Sequence, residues 1–576
     1  MPRYIYLMLT RLPFILLVCL CLFHFGASQT LKNVPQDYFI NPLDINLRLS
    51  GSFGELRSNH FHSGVDLKTN QVTGLSVYAA ANGYVSRIKI QTYGYGKALY
   101  ITHPNGYVSV YAHLSKFSPR IEAYVKKLQY QKETYEIELF PTDMELRLDQ
   151  GEVVAYSGNT GGSGGPHLHF EIRDATEHII NPLLFGLEIA DSKRPLVKQM
   201  MAYPLDENSS VNGKRAPFQL RVIPQKNGSF KVEPFKAYGT IGIGVNTSDQ
   251  MDYERNQNGI YSLTTHFNGS RNFEMTFDRF SFDETRHINQ LIDYKFFKER
   301  KSRISRLYVP DGSPLSMYRN TVNNGKLILT DSGLTHTYKI EICDFNNNMS
   351  IINLEIINDD TPLEKSVEDN SGLTYVNHNI SLNETYGKFS LSIPSGALYE
   401  NALLEIKEAG DKFTVHKDEI PIHKNIYISY DMTPKAADNM SQYYIGEVQT
   451  WGAIYHINSK LKGTTLSAGT RNFGTYTVAK DDLAPTVVPL NFKDQSWISK
   501  ATNLRMQIDD RQSGISGYRA TLNGNYILME YEYKDKMLTH DLSDKVVTDG
   551  ENLLKVIVTD NVGNSTTFEA VLNFKS

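Results

Sequence analysis

A chain of 576 residues is too long for a single hydrophobic core and is expected to divide into several domains. Its 40% hydrophobic and 21% charged residues describe a folded protein rather than a disordered one, and a formal net charge of −4 gives no electrostatic reason to expect nucleic acid as a partner. Thirty-five tyrosines and 40 glycines lean towards β-structure and turns. In chain order, residues 1–28 place Arg3 and Arg11 before the apolar run Leu12–Phe25 and the small residues Gly26, Ala27 and Ser28. That order predicts a secretory signal peptide cleaved near Ser28, and an exported mature chain. No later stretch is apolar for long enough to span a bilayer. Cys19 and Cys21 would leave with the signal, so Cys343 would be the only mature cysteine. An exported chain of this size with no disulfide fits a bacterial periplasm or cell envelope better than a disulfide-stapled ectodomain.

Three Asp- and Pro-containing joints, "DSKRP" (191–195), "DDTP" (359–362) and "DDLAP" (481–485), divide the remainder of the chain. The predicted units are 29–190, 191–360, 361–482 and 483–576, all mostly β. The first is strand-rich, with "PNG" joining two alternating runs as a hairpin. One helix is expected over 118–133, capped by Ser118, opened by Pro119 and lined by Ile121, Val125 and Leu128. It belongs to an insertion at about 116–148, which either narrows a cleft, docks a partner or is inert. Residues 196–576 show no helical periodicity. Two stretches there repeat: "YKIEICDFNNNMS" and "LKVIVTDNVGNSTT" are strands ending in Asp, a tight turn, and Asn four residues later (Asp344/Asn348 and Asp560/Asn564). They look like the last hairpin of immunoglobulin-like sandwiches, which predicts such modules at 191–360 and 483–576, with a further β-rich unit at 361–482.

The chemistry gathers before residue 175. "GGPHLHFEIR" reads as a strand, so His167 and His169 share one face, and Leu168 and Phe170 point to the other. Two imidazoles so placed can share a metal, or one can bind it while the other handles a proton. Upstream, "NHFHSGVDL" offers His62 and Asp66, and "VYAHLS" ends a strand on His113. Three imidazoles and a carboxylate are the ligand types zinc takes, and a catalytic zinc keeps three protein ligands with one position open. His60, two residues before His62, is a competing candidate; His103 in the hairpin is expected to be structural.

"HFHSGVDL", "GYGKALYITHPNGYVSVYAHLS" and "GEVVAYSGNTGGSGGPHLHFEIR" resemble the three signature blocks of the lysostaphin-type (LytM-like) zinc metalloendopeptidases, in that family's order, over residues 36–186. The resemblance implies a small antiparallel β-fold with a groove over the sheet. It implies one Zn2+ per chain held by His62, Asp66 and His169, with His113 and His167 catalytic and a zinc-bound water as nucleophile. Its family spacing to Asp66 selects His62 over His60. The implied substrate is a peptide stem or cross-link of bacterial peptidoglycan. The alternative is a non-catalytic peptidoglycan-binding or hydrolase-activating envelope protein. The C-terminal β-domains are expected to serve recognition or spacing, an envelope protein being a possible partner.

Overall fold

The structure, a computed structural model, describes residues 34–575 except 332, 361–369, 500–502 and 545–546. The predicted signal peptide and residues 361–362 of the second joint lie outside the described residues. No helix among those described is long and apolar enough to cross a membrane.

The architecture is mostly β. In the N-terminal unit one antiparallel sheet runs in the order β1 (Leu49–Gly51), β2 (Val65–Lys68), β11 (His167–Arg173), β6 (Val108–Leu114), β5 (Lys97–Thr102), β4 (Gly83–Ile90), β8 (Ile137–Leu139). A smaller sheet is made of β3 (Ser76–Tyr78), β10 (Val153–Tyr156) and β7 (Lys116–Phe117). Alternation decides the faces of β11: Leu168, Phe170 and Ile172 are fully buried in the hydrophobic core, which leaves His167, His169, Glu171 and Arg173 on the opposite face. His169 pairs across the ladder with Asp66 of β2 on one side and Ala112 of β6 on the other. The β5–β6 hairpin forms as predicted, and His103 beneath it is structural: Nδ1 donates to Asn82 O (2.8 Å) and Nε2 lies 2.7 Å from Ser109 Oγ.

The helix α1 spans Pro119–Lys132 and buries Ile121, Val125 and Gln129, while Leu128 is half-buried. Ser118 does not cap it through its side chain. Glu122 instead reaches back to accept the N–H of Phe117 (3.0 Å), so the first turn is closed from within the helix.

Beyond residue 190 the chain forms three further β-units. The first has the long strand Phe235–Ser248 at its centre, paired with Leu196–Pro204, and also holds the short helices Ile288–Leu291 and Tyr294–Arg300, which no sequence periodicity announced. It is not separated from the N-terminal unit. Arg279 and Phe280 add a rung to β12 (Ile179–Ile180) of the first sheet, and one hydrophobic cluster runs through both units. The second (373–480) and last (486–574) each fold two sheets around a core of their own.

The repeated Asp-turn-Asn hairpins have a common role. Asp344 accepts both the backbone and side-chain N–H of Asn348, whose Nδ2 also donates to Asp191 O (3.1 Å). Asp560 and Asn564 do the same, and Asn564 Nδ2 donates to Asp481 O (2.9 Å). Each hairpin thus clamps the Asp-Pro joint that enters its own module.

The insertion packs against the last module of the same chain. Lys126 Nζ and Tyr130 Oη of α1 reach Asp544 at 2.6 and 2.9 Å, and Glu133 pairs with Arg519 (2.5 Å). Nearby, Lys97 pairs with Glu530 (2.8 Å).

Candidate metal centre

The sequence-predicted residues converge over the face of the sheet at β2, β11 and β6. The donor atoms of His62, Asp66 and His169 all lie within 4.8 Å of one another, and all three residues are buried. His62 Nε2 is 3.0 Å from Asp66 Oδ1 and 3.1 Å from His169 Nδ1, and His169 Nδ1 is 2.9 Å from Asp66 Oδ1. His60, more exposed on the same segment, is not in this group.

The tautomers are set by what stands behind each ring. His62 Nδ1–H donates to Ser52 O (2.7 Å), and His169 Nε2–H donates to Glu171 Oε1 (2.9 Å). Both rings therefore turn lone pairs towards the Asp66 carboxylate, and three electron-rich atoms meet. Such a cluster requires a cation or a proton. Burial disfavours a charged His169, but its hydrogen bonds to Asp66 and Glu171 outweigh this and push its pKa up to about 9. Burial likewise opposes ionisation of Asp66, yet its polar contacts with the neighbouring histidine rings outweigh this and hold its carboxyl well below the usual range. Arg57 Nη2 holds the other Asp66 oxygen at 3.1 Å. Two nitrogens and one carboxylate oxygen, each oriented from behind, form a donor set that fits Zn2+, whose ligands at about 2.1 Å stand roughly 3.4 Å apart in a tetrahedron.

His113 and His167 stand beside this triad, their ring centroids 4.8 Å apart. His113 has φ +58°, a left-handed backbone that is costly for a residue with a Cβ, and its Nδ1–H donates to Thr160 O (2.8 Å). Burial and the neighbouring His169 and His167 depress its pKa to about 3, so its ring is neutral. His167 Nδ1–H donates to Gly165 O (2.8 Å), and its Nε2, buried without a hydrogen-bond partner, lies 3.3 Å from Asp66 Oδ1. The glycines before it divide into two kinds. Gly161 (φ +70°) packs against Gly96 so closely that a Cβ would sit 2.3 Å from the Gly96 nitrogen, whereas Gly164 and Gly165 face open space. Above this loop Lys534 of the last module donates to Asn159 O, Gly161 O (3.1 Å) and Ser163 O (3.5 Å).

Glu171, Tyr95 and Arg57 were not singled out from sequence. Glu171 is fully buried and takes hydrogen bonds from His169, Ser63 Oγ (2.6 Å) and Tyr95 Oη, with Arg173 Nε on its second oxygen (2.7 Å). Burial works against its charge, but Arg173 and His169 outweigh it and keep the carboxylate ionised. The signal was present: "HLHFEIR" continues the same alternation by two more steps. Glu171 is a positioning residue, and Glu171→Gln is expected to weaken zinc binding by about 10–100-fold while the fold is kept. Competition with a chromogenic chelator measures this; unchanged affinity would reduce Glu171 to a packing role.

Residues 60–130 match the model of Peptidase family M23, and residues 373–481 match that of the Zu5-like domain. The DD-carboxypeptidase/endopeptidase Mpg of Neisseria meningitidis serogroup B is 34% identical over 153 residues, 26% of this chain and 29% of that protein. An uncharacterised metalloprotease of Haemophilus influenzae is 32% identical over 170 residues, 27% of this chain and 30% of that protein. Among solved structures, the catalytic domain of lysostaphin from Staphylococcus simulans is 21% identical, covering 25% of this chain and 94% of that one with a TM-score of 0.19. The chain carries a Peptidase family M23 domain. The two relatives are matched over less than a third of their length.

Proposed function

We propose that the protein is an exported zinc metalloendopeptidase of the bacterial envelope that hydrolyses peptide bonds in peptidoglycan stems or cross-links. The reading is carried by one observation: two imidazole lone pairs and a carboxylate oxygen are held together from behind, with two further histidines beside them that are not part of the ligand group. A structural zinc site would be closed by a fourth protein ligand. The activity in the name of the Neisseria relative supports the substrate class.

His62, Asp66 and His169 would hold the metal. Bound zinc supplies a Lewis acid that polarises a carbonyl and makes water acidic enough to be deprotonated near neutrality. The chain's own groups do the rest. His113, neutral and fixed by Thr160, presents Nε2 to accept a proton from the attacking water and return it to the leaving amine. His167 presents a second, unpartnered Nε2 at the same place, and as an imidazolium with a proton on each nitrogen it donates to the oxygen of the scissile carbonyl or passes a proton to the amine. Gly164 and Gly165 leave the approach to His167 free of side chains. Glu171 and Ser52 keep the two ligand rings in the tautomers that face inward.

The full chain incubated with purified sacculi is expected to release muropeptides with new amino termini, identified by mass. A chelator should stop release, and about one equivalent of Zn2+ per chain should restore it. Sacculi with direct cross-links and with glycine bridges, run in parallel, identify the bond. Retained binding to sacculi with no new termini from any of them, in zinc-loaded protein, would replace this reading with a non-catalytic peptidoglycan-binding one.

A further inference from the structure

Asp191, Asp249 and Asp344 bring carboxylate oxygens within 4.8 Å of one another at the junction between the N-terminal unit and the first β-unit, in a group separate from the histidine cluster. They come from the Asp-Pro joint, the residue after the long central strand, and the clamp hairpin. Asp249 and Asp344 are 2% and 3% exposed. Among the described residues no ion pair reaches any of the three.

Two independent features point to a missing partner. Asp249 Oδ1 is buried and accepts no hydrogen bond. All three aspartates line one cavity of about 20 Å³, room for a single water-sized sphere. Burial, and then the neighbouring carboxylates, raise the pKa of Asp249 to about 8, and burial raises those of Asp191 and Asp344 as well, the Lys193 charge near Asp191 offsetting it only in part.

We infer that this cavity is a structural Ca2+ site, with Asp191, Asp249 and Asp344 as its carboxylate ligands. Oxygen ligands sharing a Ca2+ at about 2.4 Å stand no more than about 4.8 Å apart, which these satisfy. A cavity of one-sphere size leaves no room for the waters that Mg2+ retains, and the absence of nitrogen or sulfur donors from the triad disfavours zinc. The ion would tie the joint, the central strand and the hairpin into one knot. That knot touches the catalytic side: Gly259 N, in the cavity wall, donates to Ser52 Oγ (2.8 Å), and Ser52 O orients His62.

The equivalent triad of the last module, Asp481, Asp510 and Asp560, provides a comparison. There backbone N–H groups reach all three carboxylates, Ser513 and Leu483 on Asp481, Gln512 and Gly514 on Asp510, and the turn residues on Asp560, whereas in the first triad Lys193 reaches Asp191 and Asn348 reaches Asp344 while Asp249 Oδ1 is left without a partner. It is not part of the proposal.

The test is calorimetric titration of CaCl2 into zinc-loaded full-length chain previously treated with EGTA, with thermal melting alongside. Wild type should bind Ca2+, with Tm rising by on the order of 4 °C at saturation. Asp249→Asn, which keeps the shape, should lose affinity on the order of 100-fold and show no Ca2+-dependent rise in Tm. It should melt at or above the temperature of the Ca2+-free wild type, because one repelling charge is gone. Asp344→Asn is the second variant should Asp249→Asn fail to fold, and Asp510→Asn should leave binding intact. Absence of Ca2+ binding by wild type in the millimolar range overturns the assignment. So does an unchanged Ca2+ response in Asp249→Asn or Asp344→Asn.

Discussion

His169→Ala is expected to lose zinc and activity together, whereas His167→Ala and His113→Ala should keep the metal and lose turnover. His169 Nδ1 lies within about 3 Å of both other donors, so its removal leaves two protein ligands and an unshielded Asp66. Removing one half of a buried charge cluster leaves the remainder uncompensated, which adds to the loss of a ligand. The other two histidines lie outside the ligand group and are held by main-chain carbonyls of the loop 160–165. Their removal takes away proton transfer or oxyanion support, a loss on the order of 10²–10⁴ in turnover. Zinc content by elemental analysis and muropeptide cleavage, measured on all three variants in one buffer, decide it. His167→Ala protein as empty of metal as His169→Ala would make both imidazoles ligands and the site a structural one.

The second large effect concerns truncation. Every chemical signature precedes residue 175, which invites a minimal catalytic fragment of residues 29–190. The packing argues that such a fragment will not hold its site. Phe53 stacks on Phe280 with centroids 4.9 Å apart, Phe61 packs on Phe277 and Phe280, and Phe61 N–H donates to Thr285 Oγ1 (2.9 Å). Phe61 immediately precedes His62, so the cover of its ring and the anchor of its backbone come from the next unit. Exposing these two phenylalanines costs roughly 1.5–3 kcal/mol each, and the lost strand pairing at Ile179–Ile180 and the Asp174–Arg279 ion pair add to it. The sum is comparable with the whole stability of a small domain. Residues 34–190 are therefore expected to aggregate or melt non-cooperatively, and residues 34–359 to melt cooperatively and retain zinc. A cooperative transition and full zinc occupancy in the shorter fragment would refute this.

The cluster of His62, Asp66 and His169 was legible because it is written in short-range spacing. Alternation puts His167 and His169 on one face, four residues separate His62 from Asp66, and the glycine-rich context marks the loop. Glu171 obeys the same alternation but is easily passed over, because a glutamate on a strand usually faces solvent, whereas this one is buried by Arg173, Ser63 and Tyr95. The Asp344/Asn348 and Asp560/Asn564 repeat was visible, but its partner is a main-chain oxygen about 157 residues earlier for Asn348, which no local pattern encodes. The continuity of the first two units was hidden for a similar reason. A joint containing Pro looks like a boundary whether or not the surfaces on either side are apolar. Ser118 shows the opposite error, a favourable cap residue overruled by Glu122 from within the helix.

The docking of the last module on the insertion helix and glycine loop closes the polypeptide into a ring. The first β-unit holds the second through Arg286 to Ile422 O and Tyr294 to Asp418, and the second holds the last through Gln442 to Asn564. The last returns to the N-terminal unit through Lys97, Lys126 and Lys534. In a ring, no contact has to capture its partner from dilute solution. The three other joints keep that partner near at an effective concentration in the millimolar range, so a handful of ion pairs, each with at least one partly exposed partner, suffices where free modules would not associate. Ion pairs of this kind are screened by salt, so the seam at the insertion helix, held by Lys126–Asp544 and Glu133–Arg519, loosens as ionic strength rises. Opening it would leave the other three joints intact and the module still tethered within reach.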